Sequence, residues 1–396
     1  MVSFDDTKVA FASKSDKELQ WAYRLFKMIS KPWLVKLGNI GQNVAFAIHL
    51  PIKGLIKKTI FRQFCGGETI DDCDNQIAAL NKYNIGTILD YSVEGMEAEK
   101  DLDATKDEII ATIKKAKDND AIPFAVFKVT GICRTKLLEK ANPGEDKLND
   151  AEKAEWDRVK GRVEEICKTG HELDVPVFID AEDSWFQDGI DRLADEMMAK
   201  YNKQKAIIYN TLQMYRHDRL EFLKKSHQTA VEKDFVLGIK LVRGAYMEKE
   251  GQRAMDKGYP TPIQKDKATT DLDFNAALKF MCENLDRVWF CAGTHNEYSS
   301  KYLTDLMSEM GIDKSDKRIY FAQLLGMSDH ISYNLAHSGY NVAKYVPYGP
   351  VKKVMPYLVR RAQENTSVAG QTGRELALII RERNRRKGKE EYQPVG

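Results

Sequence analysis

The chain has 396 residues, 43% hydrophobic and 30% charged, which suits one large domain or two ordinary ones whose core needs no disulfides. Its 61 basic and 59 acidic residues give a formal net charge of +2, so no global field points to nucleic acid or an anionic membrane as a partner. The six cysteines are scattered without a C-x-x-C pair, which favours buried thiols in a reducing compartment over a zinc or disulfide framework.

Residues 1–80 carry helical patterns and are predicted to form a helical arm. Apolar residues recur at helical spacing over 17–37, and the segment 44–64 mixes apolar with basic residues. This second segment suits a membrane surface, but we favour packing on the main domain. The acidic start resembles neither a signal nor a transit peptide, and no stretch reaches the ~18 apolar residues of a membrane helix. We therefore expect a cytoplasmic protein, at most peripheral on the inner face of a membrane.

From residue 85 onward, short apolar runs rich in β-branched residues alternate with longer charged stretches of helical pattern. The runs are 85–90, 122–128, 175–180, 206–213, 236–242, 288–294, 319–325 and 342–346. Such alternation predicts a parallel sheet, and eight units fit a closed (β/α)8 barrel of the TIM type over residues 81–380. An open doubly wound sheet is the alternative, although no G-x-G-x-x-G follows an early run.

Residues 381–396 form a basic, polar stretch. It is predicted to be a solvated helix end and a loose tail. Binding to a membrane surface is a weaker interpretation of the same residues.

A polar residue or a glycine stands in or directly after most of the predicted strands, near the end of each one. These residues are Lys128, Asp180, Gln213, Lys240, Arg243, Gly244, Thr294, His295, Asn296 and Tyr345. Taken singly, each has a plain structural explanation: Lys128 reaching the rim, Asp180 capping a helix, or His295 as a satisfied rim histidine. In a closed barrel, however, these positions meet at the carboxyl-terminal mouth, where active residues lie.

Lys240 lies inside the fifth run, where side chains alternate between the two faces of the strand. If it faces the interior, it is a buried cation, and burying an unpaired ammonium is costly. It then needs an anionic or electron-rich partner, and Asp180 or a bound cofactor are the candidates.

An arginine pair follows the last run. The turn 347–350 precedes a helical pattern in which Arg360 and Glu364 are four residues apart and share a face, with Arg361 beside them. Adjacent guanidinium groups are costly unless an anion lies between or opposite them, and a carboxylate bound by both forks satisfies them. A solvated charged face explains the same residues equally well.

Motifs for metal binding or a serine nucleophile do not occur. The chain contains no H-x-H, no H-E-x-x-H and no G-x-S-x-G. We therefore expect no metal, and the predicted site binds and orients a substrate while a cofactor supplies the hard chemistry.

Four ordered motifs carry a resemblance: Lys-Leu-Val-Arg-Gly-Ala-Tyr at 240–246, Thr-His-Asn at 294–296, Tyr-Val-Pro-Tyr-Gly at 345–349, and Tyr-Leu-Val-Arg-Arg-Ala-Gln-Glu-Asn at 357–365. Together they resemble the flavin-dependent proline dehydrogenases in their single-function form. Gly-Glu at 67–68, Leu-Asp-Tyr at 89–91 and Ile-Asp-Ala-Glu at 179–182 look like further family motifs. The likeness covers residues 60–380.

The resemblance implies a (β/α)8 barrel that holds FAD, oxidises L-proline to 1-pyrroline-5-carboxylate and passes electrons to a quinone, with peripheral membrane contact and no nucleic acid. It implies that Arg360 and Arg361 bind the proline carboxylate with help from Lys128, that Glu364 pairs with Arg360, and that Tyr345 packs on the proline ring. Asp180 and Lys240, the latter replaced by Arg in many relatives, are then the catalytic residues near the flavin. The residues implied to contact FAD are Ala181, Gln213, Val242, Arg243, Gly244, Ala245, Thr294, His295 and Asn296.

Two other functions stay open at this point. A different FAD barrel, such as a folate reductase, needs NAD(P)H to bleach its flavin, and a non-catalytic amino-acid-binding barrel carries no flavin absorbance. Within the first hypothesis, the ring of Tyr345 crowds a 4-hydroxyl group, and relatives that use 4-hydroxyproline tend to have a small residue there. We therefore expect proline to be preferred over hydroxyproline.

Overall fold

A computed structural model describes residues 2–29, 54, 57–93, 95–367 and 371–389, and for residues 29, 58, 362–367, 371 and 372 it describes the backbone alone. Eight parallel strands form a closed barrel in sequence order. They are β1 (Ile85–Tyr91), β2 (Phe124–Phe127), β3 (Val177–Ile179), β4 (Ile208–Gln213), β5 (Leu237–Val242), β6 (Val288–Gly293), β7 (Ile319–Leu324) and β8 (Val342–Tyr348). All eight predicted runs are confirmed as strands.

The barrel closes through the first and last strands. β1 pairs with β2 on one side and with β8 on the other, in a register that runs from Ile85 opposite Val342 to Tyr91 opposite Tyr348. The (β/α)8 prediction is therefore confirmed, and the open doubly wound sheet is excluded.

Alternation along the strands divides their side chains between two packing layers. The barrel interior is filled mainly by small and aromatic side chains: Ile88, Phe124, Val126, Phe178, Tyr209, Cys291, Ala322, Ala343 and Tyr345. Tyr345 therefore points inward, whereas Val346 packs in the larger core between the barrel and its helices.

Helices cover the barrel on the outside. They are α1 (Thr7–Ala10), α2 (Asp16–Ile29), α3 (Arg62–Phe64), α4 (Asp74–Asn81), α5 (Glu99–Ala116), α6 (Thr135–Ala141), α7 (Asp150–Glu172), α8 (Ser184–Tyr201), α9 (Arg219–Glu232), α10 (Met247–Lys257), α11 (Lys267–Glu283), α12 (Glu297–Glu309), α13 (Asp329–His337), α14 (Val351–Ser367) and α15 (Gln371–Arg386). The longest, α7, begins at a capping box in which Asn149 and Glu152 bind each other's backbone N–H groups.

The first two helices, α1 and α2, pack on the helix α15. Their shared core consists of Ala10, Phe11, Leu19, Ala22, Phe26, Leu378 and Ile379. On the same helix α15, Glu382 is fully buried and binds Arg385 and Arg386. The guanidinium of Arg383 lies 4.0 Å from the ring centre of Tyr23. Part of the basic stretch expected to be solvated is thus engaged in contacts within the molecule.

The boundaries predicted at residues 80 and 380 stay predictions. β1 begins at Ile85, and α15 continues through residue 380 to Arg386. In the segment 44–64, residues 44–53, 55 and 56 lie outside the described residues, and Lys57–Phe61 forms a π-helical turn before α3.

Candidate active site

A buried polar trio lies in the barrel, formed by Asp180 directly after β3, Lys240 within β5 and Tyr345 within β8. The ammonium of Lys240 binds the carboxylate of Asp180 and lies 2.6 Å from the hydroxyl of Tyr345, which is itself 3.3 Å from Asp180 Oδ1. The three residues are 5%, 9% and 7% exposed. Lys240 is therefore an interior cation, and Asp180 is the partner that the strand alternation suggested.

The ring of Tyr345 makes contacts of its own. It stacks parallel to the ring of Phe178 at 6.4 Å, and the Lys240 ammonium lies 4.6 Å from its centre. Burial, reinforced by the charge of Asp180, raises the pKa of Tyr345 well above its usual value, so the hydroxyl stays a neutral hydrogen-bonding group.

A second cation is fixed at the neighbouring strand ends. Lys128, directly after β2, has its ammonium 3.2 Å and 3.3 Å from the two carboxylate oxygens of Asp90 in β1. The hydroxyl of Ser92 also donates to Asp90 over 2.9 Å. The carboxylate of Asp90 thereby limits how far the Lys128 ammonium can move.

Arg243 connects the ends of β5 and β6. Its guanidinium donates to Asp271 over 2.7 Å, to Thr294 over 2.7 Å and to Ser299 over 2.8 Å, and it stacks over Phe274. Burial lowers the pKa of Arg243, but the base strength of a guanidinium keeps the group charged. The predicted cofactor residues Arg243 and Thr294 therefore meet, although three further residues, Asp271, Ser299 and Phe274, also contact the arginine.

Gly244 occupies a position that no other residue fits. Its φ of +123° is rarely adopted by residues with a side chain, and a Cβ there would lie 2.5 Å from the ring of Tyr215. Gly244 and Ala245 are exposed at the end of β5. The backbone there is open to a ligand on one side and packed on the other.

His295 is a neutral imidazole in this structure. Burial, followed by the positive charges of Lys344 and Arg361, lowers the pKa of His295 to about 3. Its Nδ1 lies 2.9 Å from the hydroxyl of Ser328. Since its field acts on His295, Arg361 lies within electrostatic reach of the β6 end.

Gln213 and Asn296 bind protein groups at the same mouth. The side-chain amide of Gln213 donates to the backbone carbonyl of Glu182 over 2.6 Å. Ala181 directly precedes Glu182 in the chain. Asn296 caps α12 by accepting from the N–H of Ser299 over 3.0 Å. Both side chains therefore make contacts within the protein itself.

Helix α14 carries the arginine pair. Arg361 is 7% exposed and its guanidinium lies 5.2 Å from the ring centre of Tyr357, whereas Arg360 is half-buried. Glu364 lies on the same helix, but its side chain is outside the described part, so the predicted pairing with Arg360 stays a prediction. A fully solvated face is excluded for Arg361.

The start of α14 is seated on the segment 66–68. The N–H of Gly66 donates to Pro347 over 2.9 Å, and the N–H of Gly349 donates to Gly67 over 3.1 Å. A Cβ would lie 2.5 Å from Val346 at Gly66 and 2.2 Å from Asp72 at Gly67, so both positions require glycine. Glu68 accepts from the N–H of Val351 over 3.4 Å at the first turn of α14.

Several residues of the site had no role assigned from sequence. Asp90 and Glu182 stand in two of the motifs noted above, and a polar residue at a strand end was the available signal for both. Glu182 binds the backbone and hydroxyl of Thr130. Asp271 and Ser328 lie in stretches whose pattern gives no sign of their contacts.

This fold and this site define a (β/α)8-barrel enzyme whose chemistry is organised by fixed cations at the carboxyl-terminal mouth. A family model described as proline dehydrogenase matches residues 73–374. The chain belongs to the proline dehydrogenase family.

Curated relatives agree over most of the chain. It is 32% identical to "Proline dehydrogenase 1, mitochondrial" of Dictyostelium discoideum over 96% of this chain and 74% of that protein. It is 30% identical to "Hydroxyproline dehydrogenase" of Xenopus laevis over 97% of this chain and 90% of that protein.

A similar solved structure is proline utilization A (PutA) from Bdellovibrio bacteriovorus inactivated by N-propargylglycine, with a TM-score of 0.72 and 21% identity. The likeness covers 94% of this chain but 40% of that longer one, and at this identity it shows the fold alone.

Proposed function

We propose that this chain is an FAD-dependent proline dehydrogenase that oxidises L-proline to 1-pyrroline-5-carboxylate and delivers the electrons to a quinone. The observation that carries the proposal is the buried Lys240–Asp180 pair with Tyr345 bound to it, in the mouth of a barrel that belongs to this family. When bound, FAD supplies the acceptor for the hydride that leaves C5 of proline.

The residues at the mouth fit an anionic dinucleotide. Arg243 and Lys240 are positive, and the amides and hydroxyls of their neighbours donate and accept hydrogen bonds. The exposed backbone at Gly244 permits close approach. The residues proposed to hold FAD are Ala181, Gln213, Val242, Arg243, Gly244, Ala245, Thr294, His295 and Asn296.

On the substrate side, the chain contributes orientation. We assign the proline carboxylate to Arg360 and Arg361 with help from Lys128, and we keep Glu364 as the partner of Arg360. A carboxylate held by two guanidinium forks fixes the position of the ring carbon that reacts, and such positioning accounts for a large part of a barrier. Lys240, held by Asp180, places a positive charge where negative charge develops on reduction.

The direct test is the visible spectrum of the purified protein. We expect a yellow protein whose absorbance bleaches when L-proline is added without oxygen. Bleaching by NAD(P)H with proline inert indicates a folate-reductase-like barrel instead, and absence of flavin absorbance with tight proline binding indicates a binding protein.

Substrate choice is expected to depend on the ring of Tyr345, which its bonds to Lys240 and Asp180 hold in place. We predict that the wild type prefers L-proline over 4-hydroxyproline in kcat/KM by at least about tenfold, and that Tyr345→Ser narrows this ratio by removing the steric conflict. Tyr345→Phe is the matched control, because it keeps the ring and loses the hydroxyl, so it should keep the preference. Comparable kcat/KM values for both substrates in the wild type contradict the prediction.

A quinone acceptor places the protein at a membrane for part of its cycle. No helix within the described ranges combines the length and apolarity that crossing a bilayer requires. We propose a cytoplasmic protein with peripheral contact through the part of the basic-apolar segment 44–64 that precedes the buried Phe61 and Phe64. In the other basic segment, Arg383, Arg385 and Arg386 contact Tyr23 and Glu382.

The membrane proposal predicts that the full chain co-sediments with anionic vesicles and that neutralising Lys53 and Lys58 reduces the bound fraction. Neutralising Lys387 and Lys389 at the other end of the chain is the control and should have a smaller effect. Equal binding by all three proteins rules out the segment 44–64.

A further inference from the structure

A buried carboxylate on the last helix touches the loop that follows β7. Glu375, in α15, is 3% exposed, and its two oxygens accept from the backbone N–H of Ser328 at 3.0 Å and 3.3 Å. Ser328 is fully buried and directly precedes α13. The contact therefore joins positions 47 residues apart in the chain.

Ser328 has a backbone conformation that serine rarely adopts. Its φ of 51° and ψ of 42° place it in the left-handed region, which is strained for a residue with a side chain. Such a conformation persists where surrounding contacts hold it, and the carboxylate of Glu375 is such a contact. Loss of the Glu375 carboxylate should therefore make the left-handed conformation of Ser328 less stable.

The hydroxyl of the same serine reaches the mouth of the barrel. Ser328 Oγ lies 2.9 Å from Nδ1 of His295. Two further hydrogen bonds connect α13 to the end of β6. Ser332 donates to the side chain of Gln323 over 2.8 Å, and Gln323 donates to the carbonyl of Thr294 over 3.0 Å. The ring of His295 is therefore oriented by a side chain whose own backbone Glu375 holds.

The helix contacts the β6 end at a second point. Arg374, beside Glu375, binds Glu297 over 2.8 Å, and Glu297 directly follows Asn296. Helix α15 thus contacts both the segment 294–297, through Arg374, and the turn at Ser328, through Glu375.

We propose that Glu375 is a positioning residue for the cofactor: through Ser328 it fixes the ring of His295, and so helps set how tightly the barrel holds FAD. The inference rests on the proposed function, because it assigns His295 to the flavin. It adds that a residue on the C-terminal helix, outside the motifs of the mouth, controls that contact.

The test compares release of FAD from purified holoprotein, followed by the fluorescence of the freed flavin on dilution. Glu375→Ala removes the acceptor and is expected to raise the release rate about tenfold, the size of one hydrogen bond to a charged group. Glu375→Gln keeps an acceptor oxygen and should restore most of the retention. Glu382→Ala is the matched control: it removes another buried carboxylate of α15, one bound to Thr7, Arg385 and Arg386, and should lower Tm without changing FAD release.

A double-mutant cycle separates positioning from general destabilisation. In a His295→Ala background, Glu375→Ala should add less than about twofold to the release rate, because the group it orients is already gone. Equal FAD release by the Glu375→Ala and Glu382→Ala proteins, or additive effects with His295→Ala, overturns the proposal.

A second measurement does not depend on flavin. Nitrogen-15 NMR of labelled histidine in the apoprotein should show one dominant His295 tautomer in the wild type and mixed tautomers in Glu375→Ala. If the wild type carries no FAD, the proposed function fails while this measurement still decides whether Glu375 orients His295, and an unchanged tautomer refutes that.

Discussion

Replacing Arg361 with alanine is expected to lower kcat/KM for L-proline by about 100-fold or more. The side chain is 7% exposed. Its positive charge lowers the pKa of His295, although burial and Lys344 have larger effects, so the guanidinium lies near the mouth and does not project into solvent. A charge-assisted hydrogen bond contributes about 1.5–3 kcal/mol, and a guanidinium fork makes two to a carboxylate. Loss of orientation should appear in kcat and loss of binding in KM, and steady-state kinetics over a range of proline concentrations separates them.

The control for this prediction lies on the same helix. Lys352 is exposed in the first turn of α14, so Lys352→Ala changes the charge of that helix without touching the mouth and should leave kcat/KM unchanged. Arg361→Lys keeps the charge but loses the planar fork, so it should recover part of the loss. Wild-type kcat/KM in Arg361→Ala would show that the proline carboxylate is bound elsewhere.

Much of the barrel could be predicted because strand periodicity is a local property. Each strand lies between two packing layers, so its residues must be apolar, and eight such runs are visible without any knowledge of contacts. The same logic gave Asp180 as one of two candidate partners for Lys240, beside a bound cofactor, because an interior ammonium needs an anion and polar strand ends converge at one mouth.

The contacts that tune the site could not be predicted, because they join residues distant in sequence through side chains with ordinary local patterns. Asp90 binds Lys128, which is 38 residues away in the sequence, and Asp271 binds Arg243, which is 28 residues away. The basic run after residue 380 shows a related difficulty. The sequence predicts that its arginines are solvated, but Glu382 of the same helix is buried and Arg385 forms an ion pair with it.

Removing the interior ammonium of Lys240 is expected to lower the free energy of unfolding substantially. Lys240→Met leaves the carboxylate of Asp180, 9% exposed, without its ionic partner, and breaking a buried pair from one side costs about 3–5 kcal/mol. The hydroxyl of Tyr345 stays within 3.3 Å of Asp180 and can offset only part of that cost. Chemical denaturation of Lys240→Met should therefore show a free energy of unfolding lower by that amount.

The matched variants separate stability from chemistry. Lys240→Met/Asp180→Leu removes both charges and should recover most of the unfolding free energy, because an apolar pair can replace a buried ion pair at little cost. Turnover should not return in that double variant, since the charge of Lys240 that we propose to stabilise the reduced cofactor is then absent, and a loss of about 100-fold or more is expected. Lys240→Arg keeps a cation and should retain activity. If the double variant regains both stability and turnover, Lys240 serves the fold alone, and the positive charge that assists proline oxidation must come from another residue.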